Sequence, residues 1–118
     1  MSISNLTPRV VRIYQADRPD GVDDLDLGLR QTFDPAPQPA ALDPLPLVGT
    51  VQDDVPLELI EYGHADNLPA ARDGVFLIVP IEVALALHPR RADLLVTHDE
   101  VVTSDGTVIG YRSLAQPT

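Results

Sequence analysis

Three histidines, eight basic residues that are all arginine, and eighteen carboxylates supply whatever acid–base, metal or anion chemistry this chain has. Glu58, Glu61 and His64 stand three residues apart, the spacing of one helix face, and such a trio could hold a metal. The segment reads instead as strand and then turn, which scatters the three, so no metal site is expected. His98 beside Asp99 and Glu100 offers a base next to carboxylates. Adjacent residues rarely orient one another as a catalytic triad requires, and Thr103 and Ser104 belong to a turn, so no nucleophile accompanies it. A hydrolase using His64 or His98 is therefore the last of three functional readings, and no catalytic residue is assigned.

DGVDDLD, residues 20–26, gathers carboxylates of the kind that bind calcium, but it lacks the order of an EF-hand loop, with its mid-loop glycine and closing glutamate. A solvated acidic loop is expected there. Arg90-Arg91 is the sharper feature, because two adjacent guanidiniums stand out in an acidic chain and their forks match carboxylate or phosphate oxygens bidentately. Arg72 or Arg112 could join them. Their simpler role is to complement a helix dipole and pair with Asp93 or Glu82. Tyr62, Gly63, His64 and Asn67 form a polar turn suited to a pocket rim. The candidate ligand-binding set is thus Arg90, Arg91, Arg72, Tyr62, His64 and Asn67. No cofactor is expected, since glycine-rich phosphate loops, GxSxG elbows and HExxH helices are all missing.

These residues depend on residues 74–96, GVFLIVPIEVALALHPRRADLLV, the densest apolar stretch of the chain. Val75 to Val79 are a continuous apolar run of strand length, which predicts a strand covered on both faces. Pro80 stops it, and its fixed φ suits the first turn of a helix, so a short helix is predicted from Ile81 to Leu87. Glu82 in its first turn, and His88 and Arg90 near its end, suit the dipole, and Pro89 ends the helix by restricting His88. Being apolar nearly all round, this helix is expected to be buried.

Strands are also predicted over 9–14, 25–33, 47–51, 56–62, 94–96, 100–103 and 108–111, with a turn at Asp53-Asp54 and a two-residue hairpin turn at Asp105-Gly106. Residues 34–46 carry five prolines, which excludes a central strand and predicts extended chain wrapping the domain or a mobile segment. The expected fold is mostly β (α+β): a small barrel-like or folded antiparallel sheet of about seven short strands with one short buried helix.

One domain is expected for 118 residues, with an aliphatic core, since hydrophobic residues make up 44% and aromatics only 4%. A net charge of −10 argues against nucleic acid and anionic membrane as partners. Without cysteine there is no disulfide framework or thiolate chemistry. Residues 1–14 lack the apolar core of a secretory signal and no run spans a bilayer, so a cytoplasmic protein is expected.

Asn5-Leu6-Thr7-Pro8, Glu61-Tyr62-Gly63 with Asn67-Leu68-Pro69, and the run from Phe76 to Leu114 together resemble a family of small uncharacterised proteins of actinobacteria and their phages. Its pattern is NLTPH, then YG followed by LP, then IVS, VA.AL, R.DLLVP and a final G.VIGCRSL. The likeness covers both ends and the centre and leaves residues 16–55, acidic and proline-rich, as a variable segment of the single domain 1–118. The chain departs from the pattern at Arg9, where the family has His, at Pro80 (Ser), Thr97 (Pro) and Tyr111 (Cys), so any role for that His or Cys cannot apply here. The resemblance implies a phage or mobile-element connection. The leading expectation is a non-catalytic binding module that holds a protein partner or a small anionic ligand. The alternative is a structural or assembly component that forms a homo-oligomer.

Overall fold

The computed structural model describes residues 1–87 and 90–118. His88 and Pro89, on which the expected end of the helix rests, lie outside the described residues. In chain order the elements are β1 (Ser2–Asn5), β2 (Val11–Tyr14), β3 (Leu29–Phe33), β4 (Ala41–Leu42), β5 (Leu45–Pro46), β6 (Thr50–Gln52), β7 (Val55–Leu57), β8 (Ile60–Glu61), β9 (Ala65–Asp66), β10 (Val75–Ile78), α1 (Ile81–Leu87), β11 (Leu94–Val102) and β12 (Val108–Ala115). The protein is mostly β with one short helix, as its aliphatic runs and turn residues predict.

Six strands form the main sheet in the order β1-β10-β11-β12-β2-β3. Its pairing is mixed and not all antiparallel: β1/β10, β10/β11 and β12/β2 run parallel, β11/β12 and β2/β3 antiparallel. The reason lies in α1, which carries the chain back along β10 before β11 begins, and a parallel neighbour needs such a crossover. β1 was not predicted, because Ser2, Ser4 and Asn5 carry no strand propensity. It is held by its ladder to Val75, Phe76, Leu77 and Ile78.

The sheet curls until its edges meet at one end. Asn5 of β1 bridges to Pro35, just past β3, and Ala36 donates its N–H to the Asn5 carbonyl at 2.9 Å. Ala40 donates to the Leu6 carbonyl at 2.8 Å, so the first part of the proline-rich segment, residues 34–42, wraps the domain as one of the two expected outcomes had it, while residues 44–46 run out from it.

Pro80 ends β10 and its carbonyl accepts the first N–H groups of α1, from Val83 and Ala84. Val83, Ala84 and Leu87 then pack with Leu6, Ala40, Leu77, Val79, Leu94 and Val96 in one buried cluster. Each buried Leu or Val side chain contributes roughly 1.5 to 3 kcal/mol, so this cluster dominates the stability. On the opposite face of β10 Ile78 is also fully buried, which makes β10 the doubly covered strand its composition predicts. The helix departs from expectation: Ile81 and Leu85 are exposed, so one side is covered and the other open.

Two predicted strands, 94–96 and 100–103, are a single strand, β11, which continues through His98 and accommodates Asp99 at a φ of 61°. The β11–β12 turn also differs. Thr103 and Thr107 close it, Gly106 has a φ of 85° and Asp105 has no positive φ, giving a three-residue loop with glycine at its left-handed position. The strand predicted over 25–33 starts only at Leu29, because Leu25 to Gly28 turn.

Residues 44–62 leave the body. β4/β9, β5/β8 and β6/β7 are successive antiparallel pairs of one ribbon that ends at Asp53-Asp54, both with positive φ as a two-residue hairpin turn requires. The ribbon slips register near Gly49, where a Cβ would lie 2.7 Å from the Leu57 carbonyl oxygen, so glycine is needed for the close approach. The radius of gyration, 17.5 Å, exceeds the ~13.5 Å of a compact chain of this length. This protruding arm explains the excess.

Candidate functional site

The arm carries the most unusual surface of the molecule. Leu45, Leu47, Val48, Val51, Val55, Leu57, Leu59, Ile60 and Tyr62 are all substantially exposed along it, Val48 to 86%. Strand alternation places Leu45 and Leu47 on one face, with Leu59 across from Leu47. Residues 43–64 hold five carboxylates, Asp43, Asp53, Asp54, Glu58 and Glu61, and no arginine. The sequence marks most of these residues as strand formers, but it does not show that their strands lie outside the core. The available signal was apolar residues on both faces of a hairpin whose strands carry prolines.

Most of the predicted ligand-binding residues come together at the foot of this arm. Arg90 donates from Nη2 to the Gly63 carbonyl at 3.1 Å. Arg90 and Arg91 line a pocket of about 260 Å³ with Gly63, His64 and Leu87, and they share a second cleft of about 310 Å³ with Arg72, Asp73 and Asp93. Arg91 forms a bidentate pair with Asp93, both contacts at 2.9 Å, and donates to the Pro69 carbonyl. That hydrogen bonding holds the Asp93 carboxyl below its ordinary range. Arg91 thus takes the simple salt-bridge role foreseen for it, with Asp93 as partner.

His64 lies 3.7 Å from Glu61, and both are about half exposed. Asn67 braces the root of the arm by donating to the Pro39 carbonyl at 3.2 Å. Tyr62 stands on the arm, exposed, and lines neither cleft. Arg112 belongs to a different place. It reaches Asp20 at 2.8 Å and Asp99 at 3.0 Å and donates to the Arg18 and Glu100 carbonyls. The Arg112 hydrogen bond, with one from the Val102 N–H, keeps the Asp20 carboxyl low.

The acidic loop is therefore fastened and not simply solvated. Asp23 accepts from the backbone N–H and the hydroxyl of Ser104, and Asp24 from the Asp26 N–H. Arg18 is buried, donates to the Val22 and Leu27 carbonyls, and places its guanidinium 4.8 Å from the centre of the Tyr14 ring. At the neighbouring turn, the Thr103 hydroxyl and the Thr107 groups lower the Asp105 carboxyl.

A groove of about 540 Å³ opens beside β2 and β12, lined by Thr7, Arg9, Arg12, Pro80, Thr97 and Tyr111 among others. An adjoining one of about 550 Å³ shares Thr7, Pro80, Thr97 and Tyr111 and adds His98, Asp99 and Glu100. Arg9, Pro80, Thr97 and Tyr111 border one space that their separation in sequence conceals. Asp99 pairs through Oδ1 with Arg112 at 3.0 Å, and among the described residues no hydrogen bond joins it to His98. Among the described residues no group of three His, Asp or Glu is placed to hold a metal, and no helix is long and apolar enough to cross a membrane. Comparison with protein-family profiles, curated proteins and solved structures finds no match.

Proposed function

We propose that this protein is a non-catalytic interaction module of the cytoplasm that engages a protein partner through its β-arm and the arginine cleft at the arm's foot. The observation that carries this reading is the arm: a two-stranded ribbon of exposed aliphatic side chains, standing away from the core. An isolated two-stranded hairpin is marginal in water, and a contiguous apolar surface on a small protein marks a contact site.

Photocrosslinking in the native host tests the reading. A photoreactive residue at Leu47 or Leu57 is expected to give discrete protein adducts, whereas one at Leu25, exposed in the acidic loop, gives none. If neither arm position yields any protein adduct, the protein's own chain included, the reading falls.

A second reading follows from the groove at Arg9 and Arg12. Among the described residues neither guanidinium meets a carboxylate, unlike those of Arg91 and Arg112. Two unpaired arginine forks beside Tyr111, Thr7 and Thr97 suit a small anionic ligand. Calorimetry with inorganic phosphate and with succinate is expected to show binding that weakens at least about tenfold in the Arg9→Ala plus Arg12→Ala variant. Equal binding by that variant removes this reading.

A further inference from the structure

Resting on the reading of the arm as a docking element, we infer that its occupant is a second copy of this chain. The two arms pack face to face and antiparallel about a twofold axis, each acidic tip seated in the arginine cleft at the other's foot.

Charge points to this first. The tip holds Asp53 and Asp54 side by side at φ of 51° and 62°. A turn of this geometry is best served by Asn-Gly or Asp-Gly, so a second aspartate adds a carboxylate where glycine would fit more easily. Beside the foot of the same arm, Arg72, Arg90 and Arg91 line one cleft together with Asp73 and Asp93, three guanidiniums against two carboxylates. Arg91 is satisfied by Asp93, but Arg90 makes one bond to a carbonyl, and Arg72 forms no ion pair among the described residues. Tip and foot are complementary and lie about 30 Å apart, ten residues of strand. A twofold axis through the middle of the arms brings each tip to the other foot, and a self-complementary contact of this kind closes as a dimer.

The second argument concerns how the arms can meet. Leu47 donates its N–H inward to the Leu59 carbonyl at 2.6 Å, so the neighbouring Pro46 nitrogen faces outward on its edge. Pro56 stands in the other strand. Prolines on both strands oppose the addition of a further strand at either edge, leaving the faces as the surface for packing. The face of Leu45, Leu47, Leu57 and Leu59, with Val55, offers roughly 400 to 500 Å², about half of one partner's share of a standard interface. Contact of tip with foot supplies the remainder. A heterologous protein would need its own acidic segment to match the foot and its own basic site to match the tip, whereas the second copy already has both.

Sedimentation equilibrium on the full chain is the test. The expected result is a monomer–dimer equilibrium in the micromolar range. Charge reversal at the tip (Asp53→Lys with Asp54→Lys) or at the foot (Arg72→Glu with Arg90→Glu) weakens it about tenfold or more. All four positions are exposed, so folding is retained, which circular dichroism verifies. Both reversals combined in one chain restore dimerisation to within about threefold of the original, since tip and foot again match. A strict monomer at the highest concentration overturns the inference. So does a dimer indifferent to both reversals, because its contact then lies elsewhere. If the chain is monomeric while the arm crosslinks to another protein, self-pairing falls and the interaction reading stands. If the arm crosslinks to nothing, both fall.

Discussion

Asn5→Ala lowers the folding stability by about 3 kcal/mol, with a Tm lower by roughly 12 °C. Asn5 is only 3% exposed and makes four hydrogen bonds in the place where the curled sheet closes on itself. Its Nδ2 donates to the Arg9 carbonyl at 2.7 Å and to the Phe33 carbonyl at 3.0 Å, while its Oδ1 accepts from the N–H and the hydroxyl of Thr7 at 2.9 and 2.6 Å. Truncation removes all four bonds at once, and each part-buried group left unsatisfied costs about 1 to 3 kcal/mol. Thr7→Val should cost nearer 1 kcal/mol, because it removes one of the four bonds and leaves the contact between the sheet edges intact. Urea titration of both variants measures the difference. A loss below about 1 kcal/mol for Asn5→Ala means that the edges are held by the backbone bonds from Ala36 and Ala40 alone.

Asn5 also shows how far the fold could be read in advance. The apolar run from Val75, the stop at Pro80 and the helix from Ile81 to Leu87 are local features: a strand-length aliphatic run, a proline and a set of good helix formers. They were legible for that reason. β1 was not, because its stability comes from a ladder to residues more than seventy positions away, and Ser2, Ser4 and Asn5 give no local sign of it. The same distinction governs the candidate site. Arg72, Arg90, Arg91 and His64 stand out as charged or titratable residues in polar turns, and the structure gathers them at one foot. Leu47, Val51 and Leu57 look like any core strand residues, since hydrophobic pattern records the tendency to pair and not whether a second layer covers the pair. The acidic loop is exposed, as its charge suggests, but its anchoring was not legible, for a related reason. Its charge suggested solvent, but Arg18 and Arg112, the latter more than eighty residues downstream, turn its carbonyls and carboxylates into fastenings.

Gly110→Ala is expected to destabilise by about 3 kcal/mol, the upper end of what inserting one methyl into a packed site costs. A Cβ at Gly110 would lie 2.6 Å from the Arg12 carbonyl oxygen and 2.6 Å from Cε2 of Tyr14. Neither neighbour can withdraw cheaply. The Arg12 carbonyl belongs to β2, which is held between β12 and β3. Tyr14 is fully buried, donates its hydroxyl to the Leu25 carbonyl at 2.7 Å, and is covered by the Arg18 guanidinium. Moving the ring would pull on the acidic loop through both contacts, so the strain at one β12 position reaches residues 18–25. Glycine in a strand interior ordinarily weakens it, and here it is retained because two backbones and a ring converge on the same point. The cause can be separated from a general intolerance of β12 to substitution by shrinking the ring. Tyr14→Leu is destabilising alone, yet in the Gly110→Ala background it should cost at least about 1 kcal/mol less, because it also relieves the clash. Additive losses in that cycle, or a loss below about 0.5 kcal/mol for Gly110→Ala alone, mean that the ring and the strand are free to part.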